Sequence, residues 1–237
     1  MNLAIDIGNT NVKAGLFVKE ELREVVNGTA DIERLLNEQK IKHCIISKTG
    51  AGYEVEALLE NHKTHTLTLS HQLKLPIKIL YKTPETLGPD RIAASVAAKA
   101  QFGGEPVLKI DFGTCITFDF ITKENEYTGG AISPGMMMRF KALHNYTSKL
   151  PLIDPMQFKN FELTGTDTAT SILSGVVNGI KAEVEGIIKE YEQRFGSLKI
   201  VATGGDAGFF VTLLKSEIFA RPYLVLEGLN LILKYNI

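Results

Sequence analysis

The stretch LAIDIGNTNVKAGLF, from Leu3 to Phe17, places a carboxylate at the end of an apolar run. The run ends at Asp6, a turn containing Gly8 follows, and apolar residues then alternate with polar ones. This pattern predicts a β-hairpin whose strands are Met1–Asp6 and Asn11–Val18. A hairpin does not need a carboxylate at the end of a buried strand, so the aspartate points to a function.

A second copy of the pattern begins later in the chain. LKIDFGTCITFDFI, from Leu108 to Ile121, shares the order apolar-x-Ile-Asp-x-Gly with a threonine just beyond, and Asp111 follows Asp6 by 105 residues. A match this short can arise by chance, but its place at the head of each half favours a duplicated domain. The predicted domains are residues 1–105 and 106–237, each opening with its own hairpin.

These turns suit a phosphate site. Glycine lets the backbone approach an anion, and successive turn amides can point at phosphate oxygens. A carboxylate repels phosphate, so Asp6 and Asp111 are candidates for organising Mg²⁺ or another cation. A single copy is also typical of an Asx turn that closes a hairpin. The second copy favours the binding site, as does the glycine turn ATGGDAGFF (Ala202–Phe210), which could receive adenine, ribose or phosphate.

Composition excludes several classes of protein. With 26 basic and 27 acidic residues the net charge is −1, so nothing favours nucleic acid or an anionic membrane as a partner. Cys44 and Cys115 lack CxxC spacing and are expected to be free thiols of a reducing compartment. The sequence has no basic, apolar leader and no apolar run of about 20 residues, so we expect a cytoplasmic protein.

The remaining pattern alternates between strands and helices, which predicts the α/β class. Apolar residues recur every three or four positions over Thr170–Phe195, which predicts a long amphipathic helix. Another helix is expected to begin at Pro89 and Asp90 and to stop before Gly103. The other predicted elements are strands at His43–Lys48 and Leu75–Tyr81, a strand before the glycine turn, and a last helix in YLVLEGLNLILKY.

The two hairpins and the late glycine turn resemble the actin/sugar kinase/heat-shock ATPase superfamily. Within it, the chain is similar to type III pantothenate kinases, through DIGNT (6–10), LGPDR (87–91), DFGTCIT (111–117), GGAISPG (129–135), TGTDTATSILSG (164–175), VATGG (201–205) and VLEGL near the end. The resemblance implies two RNase H-like domains, duplicated, with a nucleotide cleft between them. It also implies transfer of the ATP γ-phosphoryl group to pantothenate, the first step of coenzyme A synthesis.

The resemblance further implies roles for particular residues. ATP would bind Asp6, Ile7, Gly8, Asn9, Thr10, Asn11, Val12, Lys13 and Thr114. Asp111 would bind the activating monovalent cation, K⁺ or NH₄⁺, and Mg²⁺ would accompany ATP. Pantothenate would contact Tyr81, Gly88, Pro89, Asp90, Arg91 and Thr168, with Asp90 as the catalytic base and Thr166 as an alternative to Thr168. Family members are dimers, so a homodimer is expected.

Several residues keep a second interpretation. Lys13 can be one polar residue on an exposed strand face, and Asp90 can simply cap a helix. Arg91 can bind the pantothenate carboxylate or neutralise the transferring phosphoryl group. The Ser174, Gly175 and Gly179 stripe can lie at the dimer interface or pack within one subunit. His62 and His65 are expected to be solvated, and no metal cluster is predicted.

Two other functions fit the same motifs. The protein could be another small-molecule kinase of the superfamily, acting on a sugar, acetate or polyphosphate. It could also be a nucleotide-binding regulator that has lost catalysis, although Asp6, Asp90 and Asp111 together argue against this.

Overall fold

The computed structural model describes residues 1–8, 11–50 and 53–237. The predictions made for Asn9 and Thr10 therefore lie outside the described residues. The strands are β1 Asn2–Ile7, β2 Val12–Val18, β3 Glu21–Asn27, β4 His43–Lys48, β5 His65–Thr68, β6 Lys78–Ile79, β7 Val107–Phe112, β8 Cys115–Ile121, β9 Glu126–Pro134, β10 Lys199–Thr203 and β11 Phe219–Ala220. The helices are α1 Thr29–Glu38, α2 Tyr53–Asn61, α3 Pro89–Gln101, α4 Met136–Asn145, α5 Thr168–Phe195, α6 Ala207–Val211 and α7 Leu224–Asn236.

The first sheet has the strand order β3-β2-β1-β4-β5. β1 and β2 pair antiparallel, which confirms the predicted hairpin, whereas β4 runs parallel to β1 and to β5. The parallel pairs follow from the chain connections, because α1 precedes β4 in the sequence and α2 separates β4 from β5. The carboxyl ends of β1 and β4 therefore lie side by side.

Helices cover both faces of this sheet. Leu3, Ile5 and Ile7 alternate along β1 and belong to a core cluster with buried residues of α1 and α2. On the other face, α7 packs against β1 and β4, and α3 packs against β4. α3 and α7 also pack tightly together, because a side chain at Gly228 would collide with the backbone of Ala93. This packing fixes α3 against the sheet that carries the first hairpin.

The second sheet has the order β11-β10-β7-β8-β9-β6. The predicted strand at Leu75–Tyr81 is wrong over most of its length, because only Lys78–Ile79 pairs, parallel to the start of β9. The amides of Lys78 and Leu80 donate to Asn125 and Tyr127, whereas Pro76 has no amide hydrogen with which to extend the ladder.

The long helix α5 is confirmed, and it begins two residues earlier than the apolar period suggests. Asp167 caps it, since its side chain accepts the amide hydrogen of Thr170 at 2.8 Å, and the Thr170 side chain completes a capping box. The helix ends at Phe195, and the next residue, Gly196, has a positive φ of 78°, which favours glycine. α3, α7 and the strand–turn–helix at β10 and α6 are confirmed as well.

The chain divides into two compact units, each assembled from more than one stretch of sequence. Unit 1 comprises 1–107, 119–129 and 223–237, and unit 2 comprises 108–118 and 130–222. The division into domains 1–105 and 106–237 stays a prediction. In the described parts of the chain, no helix combines the length and apolar character needed to cross a membrane.

Candidate active site

The first hairpin of unit 1 is fixed at the end that carries the predicted phosphate residues. Asp6 and Lys13 are direct cross-strand partners, and the amide of Gly8 donates to the carbonyl of Asn11 at 3.0 Å. The loop after β4 holds the other side, since the amides of Thr49 and Gly50 donate to the carbonyl of Ile7 at 2.9 and 3.1 Å. The hairpin end is therefore positioned by two neighbouring segments.

Lys13 is half-buried, which differs from a simple solvent-facing lysine. Its ammonium nitrogen lies 5.8 Å from the centre of the Tyr223 ring, at a distance typical of a cation–π contact. The aromatic ring thus holds the ammonium group without neutralising its charge. Lys13 keeps the positive charge that a phosphate ligand would require.

Glycines enclose the second hairpin, in unit 2. The amide of Gly113 donates to the carbonyl of Cys115 at 3.1 Å, which closes a tight turn between β7 and β8. A side chain at Gly135 would overlap the backbone of Gly113 and Thr114. A side chain at Gly204, whose φ is 96°, would overlap the Asp111 carboxylate and the Phe112 backbone. The structure therefore brings together three motifs that lie far apart in the sequence: DFGT, GGAISPG and VATGG.

The surroundings of Asp111 fit a bound cation. Its half-buried carboxylate packs against the backbone of Gly113 and Gly204. A Cβ atom at Gly204 would overlap this carboxylate, and one at Gly113 would lie 3.2 Å from it. Carboxylate and backbone carbonyl oxygens are the ligands that hard cations take. Thr114 in the same turn is exposed, so its hydroxyl is accessible to a ligand.

The two cysteines are both free, as predicted. Cys44 is buried in β4, and burial raises the pKa of its thiol. Cys115 is half-buried at the start of β8. The first residue of a strand next to a tight turn lies at the margin of the packed sheet.

The amino terminus of α3 presents the predicted catalytic residue. Gly88 is the N-cap, Pro89 opens the helix, and the Asp90 carboxylate accepts the amide hydrogen of Arg91 at 2.9 Å. A Cβ atom at Gly88 would lie 2.5 Å from that carboxylate, so a larger residue there would displace it. The helix dipole favours the ionised form of a carboxylate at this end. Asp90 is therefore half-buried and fixed at the amino terminus of α3.

Arg91 turns away from Asp90 into the interior of unit 1. Its side chain is 9% exposed, and its Nε and Nη2 atoms donate to the same oxygen of Asp119, at 2.9 and 2.6 Å. Burial lowers the pKa of Arg91, but the adjacent carboxylate more than offsets this, and the net pKa is raised. Arg91 is thus a charged, paired and oriented group.

Tyr81 lies beside this ion pair. The Arg91 guanidinium carbon is 5.9 Å from the centre of the Tyr81 ring, and the Tyr127 ring centre is 6.2 Å from that of Tyr81. Gly129, with a φ of 116°, leaves room for the Tyr81 ring, since a Cβ atom there would lie 3.3 Å from it. The structure therefore brings together Tyr81 and the LGPDR segment, as the predicted substrate contacts require.

Sequence reasoning missed Asp119 and Tyr127, which complete this cluster. Asp119 stands in the apolar run of β8 and is fully buried. A carboxylate inside a buried strand needs a partner, because burying an unpaired charge is costly. That signal in the sequence could have identified Asp119 but not its partner.

Thr166 and Thr168 lie together in unit 2. Thr168 is the first residue of α5, and Thr166 stands just before the cap. Both are exposed and line an open cavity of about 670 Å³, together with Ser171 and Gly175. Both hydroxyls are therefore accessible to a ligand, and the structure gives neither threonine an advantage.

Comparisons with known proteins identify the family of the chain. The family model of type III pantothenate kinases matches residues 2–190. The type III pantothenate kinase of Christiangramia forsetii is 44% identical over 243 aligned positions, which cover 100% of this chain and 99% of the relative. The corresponding enzyme of Cytophaga hutchinsonii is 41% identical, with 100% of each chain covered.

Solved structures show the fold. A Campylobacter jejuni protein assigned to the Baf family of transcriptional activators superposes with a TM-score of 0.64 at 22% identity, covering 99% of this chain and 98% of that one. The polyphosphate/ATP-glucomannokinase of Arthrobacter superposes with a TM-score of 0.53 at 15% identity and the same coverage. These likenesses and the mixed sheets confirm the α/β class with duplicated RNase H-like domains. The match to the family model and the full-length matches to its curated members establish that the chain belongs to the type III pantothenate kinase family.

Proposed function

We propose that the protein transfers the γ-phosphoryl group of ATP to the primary hydroxyl of pantothenate, the first step of coenzyme A biosynthesis. The observation that carries this proposal is the match to type III pantothenate kinases over the whole chain. The product is 4'-phosphopantothenate. Kinases bind ATP with Mg²⁺, which bridges phosphate oxygens and offsets their charge.

Asp90 is the proposed catalytic base. The pantothenate oxygen forms a bond to the γ-phosphorus while the bond to the ADP oxygen breaks, and the hydroxyl proton passes to the Asp90 carboxylate. A carboxylate at a helix amino terminus is a weak base. Phosphoryl transfer tolerates this, because the loose transition state needs positioning more than early proton removal. The hydrogen bond from the Arg91 amide supports such positioning.

The ATP phosphates are proposed to bind the first hairpin, from Asp6 to Lys13, and Thr114 of the second. The fixed hairpin end and the charge of Lys13 support this role. Asp111 would hold a monovalent cation, K⁺ or NH₄⁺, whose positive charge would help to neutralise the phosphates when bound. The glycine-lined surroundings of the Asp111 carboxylate support that assignment.

Pantothenate is proposed to contact Tyr81, the segment from Gly88 to Arg91, and Thr168, with Thr166 as the alternative. The cluster of Tyr81 with Arg91 supports the first two contacts. Arg91 would donate hydrogen bonds to an anionic group of the substrates, either the pantothenate carboxylate or the transferring phosphoryl group.

A homodimer with α5 in the interface is part of the proposal. No described atom lies within 4 Å of a Cβ built at Gly175 or Gly179, so neither glycine is required by packing in the described chain. Ser174, in contrast, has a partner within the chain, because its hydroxyl donates to the carbonyl of Leu163 at 2.6 Å. Leu163 itself is 81% exposed, so an apolar residue lies on the surface next to α5. The open glycine face of α5 is suited to close approach by a second copy. A cytoplasmic location also stays a prediction.

An acceptor panel tests the proposed function. The purified protein is incubated with Mg-ATP and, separately, pantothenate, a hexose, N-acetylmannosamine, acetate or polyphosphate, and products are identified by mass spectrometry. We expect phosphorylation of pantothenate alone. A phosphorylated sugar or acetate would assign another kinase activity, and ATP binding without any product would favour an inactive regulator.

A further inference from the structure

One buried oxygen atom collects the hydrogen bonds of the Arg91 cluster. The Oδ1 atom of Asp119 accepts from Nε and Nη2 of Arg91 and from the Tyr127 hydroxyl, the last at 2.5 Å. Asp119 and Tyr127 are both fully buried. Three donors on one oxygen fix the plane of the guanidinium group.

Fold stability alone does not account for this arrangement. A buried ion pair contributes little net stability, because desolvation opposes the attraction, and apolar residues of similar volume often replace such pairs without loss. The neighbours of Asp119 in the strand are apolar, with Phe118 and Phe120 buried on either side. A specific use of the oriented guanidinium explains the carboxylate better than packing does.

The position of Arg91 supplies such a use. Arg91 follows Asp90 directly at the first turn of α3, and the Tyr81 ring lies against its guanidinium. A mobile arginine would have to be ordered each time a substrate binds, at a cost in side-chain entropy. An arginine that Asp119 already holds avoids most of that cost.

We propose that Asp119 and Tyr127 are positioning residues for the acceptor site: they orient Arg91 so that its guanidinium group meets an anionic group of the acceptor. This inference rests on the proposed function, because it takes Arg91 as a substrate contact. Asp119 acts through Arg91 and does not touch the acceptor. Tyr127 in turn holds Asp119, and burial raises the pKa of its hydroxyl, so Tyr127 stays a donor at neutral pH.

The test is a double-mutant cycle on Arg91→Met and Asp119→Asn, with Tyr127→Phe measured alongside. Coupled ADP release gives KM for pantothenate and for ATP, and calorimetry gives pantothenate affinity without turnover. We expect Asp119→Asn to raise the pantothenate KM about tenfold, the effect of losing an oriented charged hydrogen bond. The KM for ATP should stay unchanged, and Tyr127→Phe should act in the same direction but less strongly. In the Arg91→Met background, Asp119→Asn should have no further effect on pantothenate.

Ser95→Ala is the matched control. Ser95 lies one turn after Arg91 on α3, is fully buried, and its hydroxyl has no hydrogen-bond partner among the described residues. This variant perturbs the same helix without touching the ion pair, so its KM for pantothenate should equal that of the wild type. Thermal unfolding of each variant separates lost stability from lost orientation.

Three outcomes would overturn the proposal. An unchanged or lowered pantothenate KM in Asp119→Asn would mean that the carboxylate does not orient Arg91 for the acceptor. An equal loss in the wild-type and Arg91→Met backgrounds would mean that Asp119 acts independently of Arg91. Lower stability with unchanged KM would assign a structural role. If the wild-type protein does not phosphorylate pantothenate, the proposed function itself is wrong. That result is distinguishable from the three above, which are measured on an active wild type.

Discussion

Asp6 and Lys13 face each other as direct partners in the antiparallel ladder of β1 and β2. Residues opposite each other in a ladder project to the same face of the sheet, so the acidic and basic side chains share one surface. Such a pair suits a ligand that carries both phosphate oxygens and a cation. Two of the residues proposed to bind the ATP phosphates thus occupy opposite positions on two hydrogen-bonded strands.

Replacing Lys13 with methionine tests the phosphate role of the hairpin. We expect the KM for ATP to rise about tenfold, since one cation facing a phosphate contributes about 1.4 kcal/mol. The KM for pantothenate should change little. Lys42→Met, at an exposed position before β4, is the matched control. Equal KM values for ATP in Lys13→Met and Lys42→Met would mean that Lys13 does not bind the phosphates.

Gly88→Ala tests the contact between the α3 N-cap and Asp90. A Cβ atom at this position would push against the Asp90 carboxylate, so we expect kcat to fall about 10- to 100-fold while ATP binding persists. Gly103→Ala, after the end of α3, is the control, because a Cβ there meets no described atom within 4 Å. If both variants turn over at the wild-type rate, the position of Asp90 does not matter for catalysis.

Asp111→Asn tests the monovalent cation site. The amide keeps the shape of the side chain but removes its charge, so stimulation by K⁺ or NH₄⁺ should disappear. Activity measured in K⁺, NH₄⁺ and Na⁺ salts at constant ionic strength provides the comparison. Salt activation that survives the substitution would remove Asp111 from this role.

Asp206 provides a test by pH. Burial raises the pKa of its carboxyl above the usual value near 4, so the folded state binds a proton more tightly than the unfolded state. The contribution of Asp206 to the free energy of unfolding should therefore be greatest below about pH 4. It should fall as the pH rises through the pKa that Asp206 has in the folded state. Asp206→Asn should raise Tm at pH 7 and not at pH 3.5. An equal change at both values would contradict the assignment of the effect to charge.

Local pattern predicted much of this fold. The Asp-x-Gly turns, the Pro89 start of α3 and the apolar period of α5 are short-range signals, and each element formed where its signal lies. The pairing of Asp119 with Arg91 depends on packing between β8 and α3, which no spacing in the sequence encodes. β6 is shorter than predicted because Pro76, within the predicted strand, has no amide hydrogen with which to extend the ladder.

The glycines illustrate the same limit within the site. The sequence predicts that Gly204 belongs to a turn after a strand, and its φ of 96° confirms a conformation that favours glycine. It does not predict that this turn packs against the Asp111 carboxylate, more than 90 residues earlier in the chain. Contacts between residues this far apart in the sequence are not predicted by local patterns and are seen only in the structure.

The most direct test of the central claim is the rate of pantothenate-dependent ADP release, measured for the wild type and for Asp90→Asn in the presence of K⁺. We predict rapid release by the wild type only when pantothenate is added. Asp90→Asn should lower kcat by a factor of about 10² to 10⁴ while it still binds both substrates. Release that ignores pantothenate, or wild-type turnover by Asp90→Asn, would contradict the account.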